Sequence, residues 1–204
     1  MSSIRVLICC LVAAAPVVSG ATKSTKPQPE VTVVLDFQAS RSERSVLEMQ
    51  READVILKSA GYRLNWVLLG SAAHSSYNDL VVVKFLGACE LDGAVSPTGN
   101  PGPLGMTHIS NGVVLPFADV ECDRVINAVR PVIQGEAYPS AERLVGRALG
   151  RVLAHELVHM LTRSTSHAAY GVEEPALSGK QLVDDYLPLS AFDVTRLRKE
   201  SKDL

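Results

Sequence analysis

The chain has 204 residues, 47% of them hydrophobic and 21% charged, which is enough apolar material for one core and a length that favours one domain over two. Its formal net charge of −2 excludes the basic footprint of a nucleic-acid binder. No acidic or basic tail points to another kind of partner.

The segment 1–20 reads as a secretory signal peptide. Arg5 supplies a positive n-region, and 6–15 is an apolar run too short to span a bilayer. Pro16 breaks that run, and Val18-Ser19-Gly20 places small residues before a cut ahead of Ala21. The expected location is secreted or periplasmic, with no stable membrane association once the signal is removed. Cys9 and Cys10 leave with the signal. Cys89 and Cys122 remain, and two cysteines in an exported chain favour a single disulfide.

Residues 21–30 are polar and contain prolines, as a flexible leader does. The folded domain is expected over 31–204. The run 31–37 is apolar and rich in β-branched residues, and fits a buried strand. Ser40 followed by Glu43 reads as a capping box. The helix it opens runs to about Ala60, with Val46, Met49, Ala53, Ile56 and Ala60 on one stripe and Gly61 ending it. A second strand is expected at 62–69, a polar loop at 70–79 and a third strand at 80–86. The stretch 91–105 is a Gly/Pro loop of a length often reserved for function. Asn111-Gly112 suits a type I′ turn between strands 106–110 and 113–117. A short helix near 122–129 is stopped by Pro131. Ser140 caps a long helix running to about Leu161. Beyond it come an irregular segment, a turn at Gly171, a short helix near 178–186 and a basic amphipathic helix from about Ser190. Strand, helix, strand, strand, hairpin, helix is an α/β order with a mixed sheet.

The chemistry sits on that long helix, in His155-Glu156-Leu157-Val158-His159. Positions i and i+4 share a helix face, so both imidazoles can reach one ion. Glu156, beside the first ligand, can take the proton of a metal-bound water. Leu157 and Val158 face the other way, into the core. A catalytic zinc needs a third protein ligand and an open position. His167 is the first candidate, because the small polar residues 162–166 suit a chain that leaves the helix and doubles back. Glu173 and Glu174 come next, then Asp184 or Asp185. The two glutamates lie beyond Gly171, in a segment that Pro175 is expected to carry away. His74 reads as a solvated loop residue, and His108 as a hairpin residue on a strand face or a cleft wall. Tyr170 reads as a half-buried packing residue, with oxyanion assistance the alternative.

With those residues in view the chain resembles the zincins, and among them a variant of the metzincin clan of zinc peptidases. The match lies in HELVH at 155–159 with a third histidine shortly after, and in the order of elements over about 31–170. Metzincins place a glycine three residues after the second histidine and the third histidine three residues later. Here those positions are Thr162 and Thr165, and the histidine arrives at 167. The methionine turn of metzincins has no counterpart, since the last methionine is Met160. The run HELVHMLTRSTSHAAYGV is also similar to a pattern, HELxHxLxxTxxHxxxGV, found in small exported bacterial proteins.

The resemblance implies a zincin-like single domain, with a mixed and mainly parallel sheet, an antiparallel edge hairpin and two long helices. It implies Zn2+ on His155, His159 and His167, with Glu156 as general base in peptide-bond hydrolysis. It also implies a peptide or protein substrate added as a strand along 106–110, the upper rim of the cleft, with the 91–105 loop nearby. Oligomeric state is left open. An amidase acting on cell-wall material is the first alternative. A non-catalytic secreted zinc module is the second, and Glu156 argues against it, because a structural zinc site has no use for an acid beside its ligand.

Overall fold

A βαβ unit opens the chain. In the computed structural model, which describes residues 28–72, 76–77, 79–92 and 102–201, β1 (Glu30–Phe37) is followed by α1 (Glu43–Lys58) and β2 (Arg63–Leu68). The expected signal segment, most of the leader, His74 and most of the 91–105 loop lie outside the described residues. After β2 come α2 (Leu69–Ala72), β3 (Leu80–Leu86), the hairpin β4 (Gly105–Ser110) and β5 (Val113–Glu121), and α3 (Cys122–Ile133). The long α4 (Tyr138–Thr162) and the short α5 (Gly179–Val183) and α6 (Ala191–Glu200) complete the order. No described helix is long and apolar enough to cross a membrane.

The sheet order is β2-β1-β3-β5-β4, parallel except for the β4–β5 edge pair. This is the mixed, mainly parallel sheet with an antiparallel edge hairpin that the zincin resemblance implied. The hairpin turn behaves as its residues demand, with Asn111 at φ 51° and Gly112 at φ 77°, both in the left-handed region of a type I′ turn. Because β3 pairs with β5 up to Leu86↔Glu121, the chain leaves both strands at one end of the sheet. That brings Cys89 and Cys122 together as a disulfide with Cα atoms 5.0 Å apart.

The core forms where α1 and α4 pack on each other and on the sheet. Met49, Ala53 and Leu57 of α1 and Val145, Leu149, Leu153 and Leu157 of α4 are all fully buried. The two helices approach closely at Gly146 and Gly150. A Cβ on Gly150 would lie 2.6 Å from the Met49 carbonyl oxygen, and one on Gly146 2.5 Å from that of Ser45. Arg151, also fully buried, ties α1 and the end of α5 to α4. Its Nε donates to Glu52 of α1 at 2.8 Å, and its two other nitrogens donate to the carbonyls of Gln181 and Asp184.

Several boundaries differ from the sequence expectation. The N-cap of α1 is Ser42, whose hydroxyl accepts from the Ser45 amide, so Ser40 opens no capping box. Ser40 instead accepts from the Cys89 amide through its backbone carbonyl. α3 continues through Pro131 to Ile133, because proline in a final turn forfeits only one hydrogen bond. α4 begins at Tyr138 with Pro139 in its first turn, ahead of the expected Ser140 cap. Part of the expected 70–79 loop is the short helix α2.

Candidate metal centre

α4 presents His155 and His159 one turn apart, on the face turned towards β4 and the 164–174 loop. Leu157 and Val158 point the other way and are fully buried, as the motif's periodicity requires. The helix stops at Thr162, and Arg163 takes a left-handed conformation at φ 48°. This reversal falls one residue after the position where the metzincin pattern has glycine. The Ser164 amide then donates to the His159 carbonyl, and the chain returns to bring His167 against the pair. Ring centroids of His167 lie 5.2 Å from His155 and 4.8 Å from His159. One nitrogen from each of the three rings falls within 4.8 Å of the others. The three candidate ligands therefore converge.

The hydrogen bonds on the far side of two rings set their tautomers. His155 Nδ1 donates to the Val172 carbonyl at 2.8 Å, and His159 Nδ1 donates to the Ser164 carbonyl at 2.7 Å. Both neutral rings then carry their lone pair on Nε2. Burial favours the neutral form of each, pushing His155 down to about 4 and lowering His159 as well. The two Nε2 atoms face each other 3.1 Å apart, two acceptors with no proton between them. A cation resolves that conflict. Two nitrogens on one tetrahedral zinc, each at about 2.0–2.1 Å, stand about 3.3 Å apart. The donor set and its spacing fit zinc.

Glu156 is 4% exposed, and burial raises its carboxyl to about 7. Its Oε2 accepts a 2.6 Å hydrogen bond from the Thr107 hydroxyl on β4. The edge strand comes this close because Gly105 carries no side chain. A Cβ there would sit 2.6 Å from Glu156 Oε1. Residues 102–105 form one wall of a cavity of about 400 Å³, and His155, Glu156, Val152, Ala128 and residues 174–177 form the rest.

The other candidates take different places. Glu173 is not carried away by Pro175. The left-handed Gly171 at φ 87° turns the chain back, and the Ala168 amide donates to the Glu173 carbonyl at 2.9 Å. This seats the side chain fully buried behind the histidines, with Oε1 3.5 Å from His155 Nδ1 and Oε2 3.8 Å from His159 Nδ1. Burial, with Asp193 and Glu156 adding to it, raises this carboxyl to about 9. Glu174 accepts from the Gly171 amide and from Gln181, and Asp185 pairs with Arg147. The Asp184 carbonyl accepts from Arg147 and Arg151. His108 sits at the β-bulge of the hairpin, 3.0 Å from Asp119. Tyr170 is 56% exposed rather than half-buried, and its hydroxyl accepts from the Ala191 amide at 3.4 Å. Thr107, Gly105 and the carbonyls of Ser164 and Val172 had no signal in the sequence, because each acts through a partner on another segment.

No protein-family model matches the chain, and no curated protein compared with it matches. Among solved structures the chain is similar to archaemetzincin from Methanopyrus kandleri, with a TM-score of 0.49 and 11% sequence identity, over 85% of this chain and 96% of that one.

Proposed function

We propose that this protein is an exported zinc-dependent peptidase, with the metal held by His155, His159 and His167 and with Glu156 as general base. The observation that carries the reading is the pair of Nε2 lone pairs 3.1 Å apart, closed by a third histidine and flanked by a buried carboxylate. When bound there, zinc supplies Lewis acidity towards a carbonyl oxygen and lowers the pKa of a water. Glu156 accepts the water's proton on Oε1, the oxygen that Thr107 does not engage, and later delivers it to the leaving amine. Thr107 keeps the carboxylate turned towards the histidines. β4 lies at the end of the strand order, so its outer edge can take an extended peptide by strand addition. The neighbouring cavity has room for one substrate side chain.

Two measurements test this reading. Purified protein should contain one zinc per chain and hydrolyse unfolded protein, and chelation should abolish the activity. Glu156→Gln should keep the zinc and lower turnover by about 10²-fold or more, because the amide accepts no proton. Zinc uptake with no hydrolysis of protein or cell-wall substrates would replace the enzyme reading with a binding module. Hydrolysis of cell-wall material alone would make the chain an amidase.

A further inference from the structure

Behind the metal-facing side of the cluster lies a group the proposed reaction does not use. Glu173 is fully buried, and neither of its carboxylate oxygens has a hydrogen-bond partner among the described residues. Leaving a buried carboxyl group without hydrogen bonds is costly in a protein interior, whether it is ionised or held neutral. Its surroundings make matters worse, because Asp193 is also fully buried nearby. Among the described residues the cation nearby is Arg196, which donates to the Thr162 hydroxyl at 2.9 Å and lies 3.7 Å from Asp193; its buried Nη1 makes no hydrogen bond, to Glu173 or to any other group.

The placement is nevertheless specific. Each oxygen approaches one imidazole, Oε1 towards His155 Nδ1 and Oε2 towards His159 Nδ1. The loop that seats it is closed by the Gly171 turn, by Ala168 N–H to the Glu173 carbonyl, and by Val172 N–H to the Pro188 carbonyl. Gly171 itself packs so closely that a Cβ would meet the Pro188 carbonyl oxygen at 2.4 Å. The same loop supplies the Val172 carbonyl that orients His155. Orientation of a histidine ligand and presentation of a carboxylate to the two ring edges thus come from consecutive residues. What the arrangement lacks is positive charge on the rings, and a divalent ion on their Nε2 atoms supplies it.

We infer that Glu173 is a positioning residue of the metal centre: its carboxylate straddles the Nδ1 edges of His155 and His159, offsets the charge of an ion held on their opposite edges, and so raises the affinity for that ion. This rests on the three-histidine zinc reading above. It assigns Glu173 a place behind the ligands and not among them. Outer partners of histidine ligands typically contribute 10–100-fold in metal affinity, and that is the effect expected here.

The experiment is a zinc titration of the full mature chain against a chromophoric chelator, with melting temperatures measured in chelator and in excess zinc. Glu173→Gln should bind zinc about 10–100-fold more weakly, still reaching one ion per chain at saturation. Its melting temperature in chelator should equal or exceed that of the parent, because a buried carboxyl without hydrogen-bond partners has been replaced by a neutral amide of the same size. Glu173→Asp, which keeps the charge, should bind more tightly than Glu173→Gln. Equal zinc affinity in parent and Glu173→Gln would overturn the inference while leaving the three-histidine site intact. So would an equal loss of melting temperature with and without zinc, which is the mark of a packing role. Weaker binding by Glu173→Asp than by Glu173→Gln would also overturn it. Failure of the parent to bind zinc at all would instead remove the site reading on which the inference stands.

Discussion

His167 and Glu156 are the two residues whose roles can be separated most sharply by substitution. His167→Ala removes the third nitrogen, and zinc retained after dialysis against a mild chelator should fall well below the parent's. Glu174→Ala and Asp184→Ala should leave it unchanged, because Glu174 is spent on Gly171 and Gln181, and Asp184 lies by Arg147 and Arg151. Retained stoichiometry in His167→Ala would move the third ligand elsewhere. Glu156 carries a pH signature in the metal-free protein. Its carboxyl is raised to about 7 in the fold, against 4.5 for an ordinary glutamate. Between those values the unfolded chain gives up the proton first, so the folded state binds more protons and stability falls as pH rises. The loss should start above pH 4.5 and be complete above pH 7, at about 3 kcal/mol. Unfolding in chelator across that range, compared with Glu156→Gln, isolates the contribution. Parallel curves for the two proteins would show that burial does not perturb this carboxyl. The HELVH pattern and His167 were legible because their chemistry is written in local spacing. Glu173 was visible only as a runner-up ligand, since its turn back to the histidines depends on contacts with 188 and 168.

The elements that place the site depend on how closely α1 and α4 pack. α4 carries glycines at 146 and 150, although glycine in a helix interior costs about 1 kcal/mol relative to alanine. The cost is offset because the α1 backbone occupies the space a Cβ would need. Gly150→Ala should therefore destabilise the protein by about 1–3 kcal/mol in denaturant unfolding, despite its better helix propensity. A neutral or stabilised variant would mean that the two helices have room to separate. Helix periodicity in the sequence located both helices, and Met49, Ala53 and Ile56 of the expected α1 stripe are buried, while Val46 is partly buried and Ala60 is buried just past the helix end at Lys58. It could not show that Arg151, one turn before His155, would be buried. The partners that make this burial tolerable, Glu52 and two carbonyls near α5, lie 30 or more residues away. Caps were read less well. Ser40 and Ser140 satisfy the local rule for an N-cap, but tertiary hydrogen bonds and Pro139 decide where the chain enters each helix.

At the level of the molecule, the disulfide joins the end of the sheet to the start of α3, across a sequence separation of 33. Closing a loop of that size should contribute roughly 3–4 kcal/mol. The Cys89→Ala/Cys122→Ala double variant should lose about that much in unfolding free energy, and the native parent should show no labelling of these thiols. Two reactive thiols in the native protein would contradict the bridge. The pairing was expected from cysteine number, and β3 lying beside β5 supplies the geometry. Patterns of 2.0 and 3.6 residues, turn chemistry at Asn111-Gly112 and ligand spacing at 155–159 are local properties, so they could be read along the chain. They carried the α/β order, the mixed sheet, the hairpin and the identity of the converging histidines, while the edge position of the hairpin came from the zincin resemblance. Strand order, the reach of Thr107 to Glu156 across 49 residues, the reversal at Arg163 and the burial of Glu173 behind the histidines are settled by packing between distant segments. Their energies arise only when those segments exclude water together, and no local pattern encodes that.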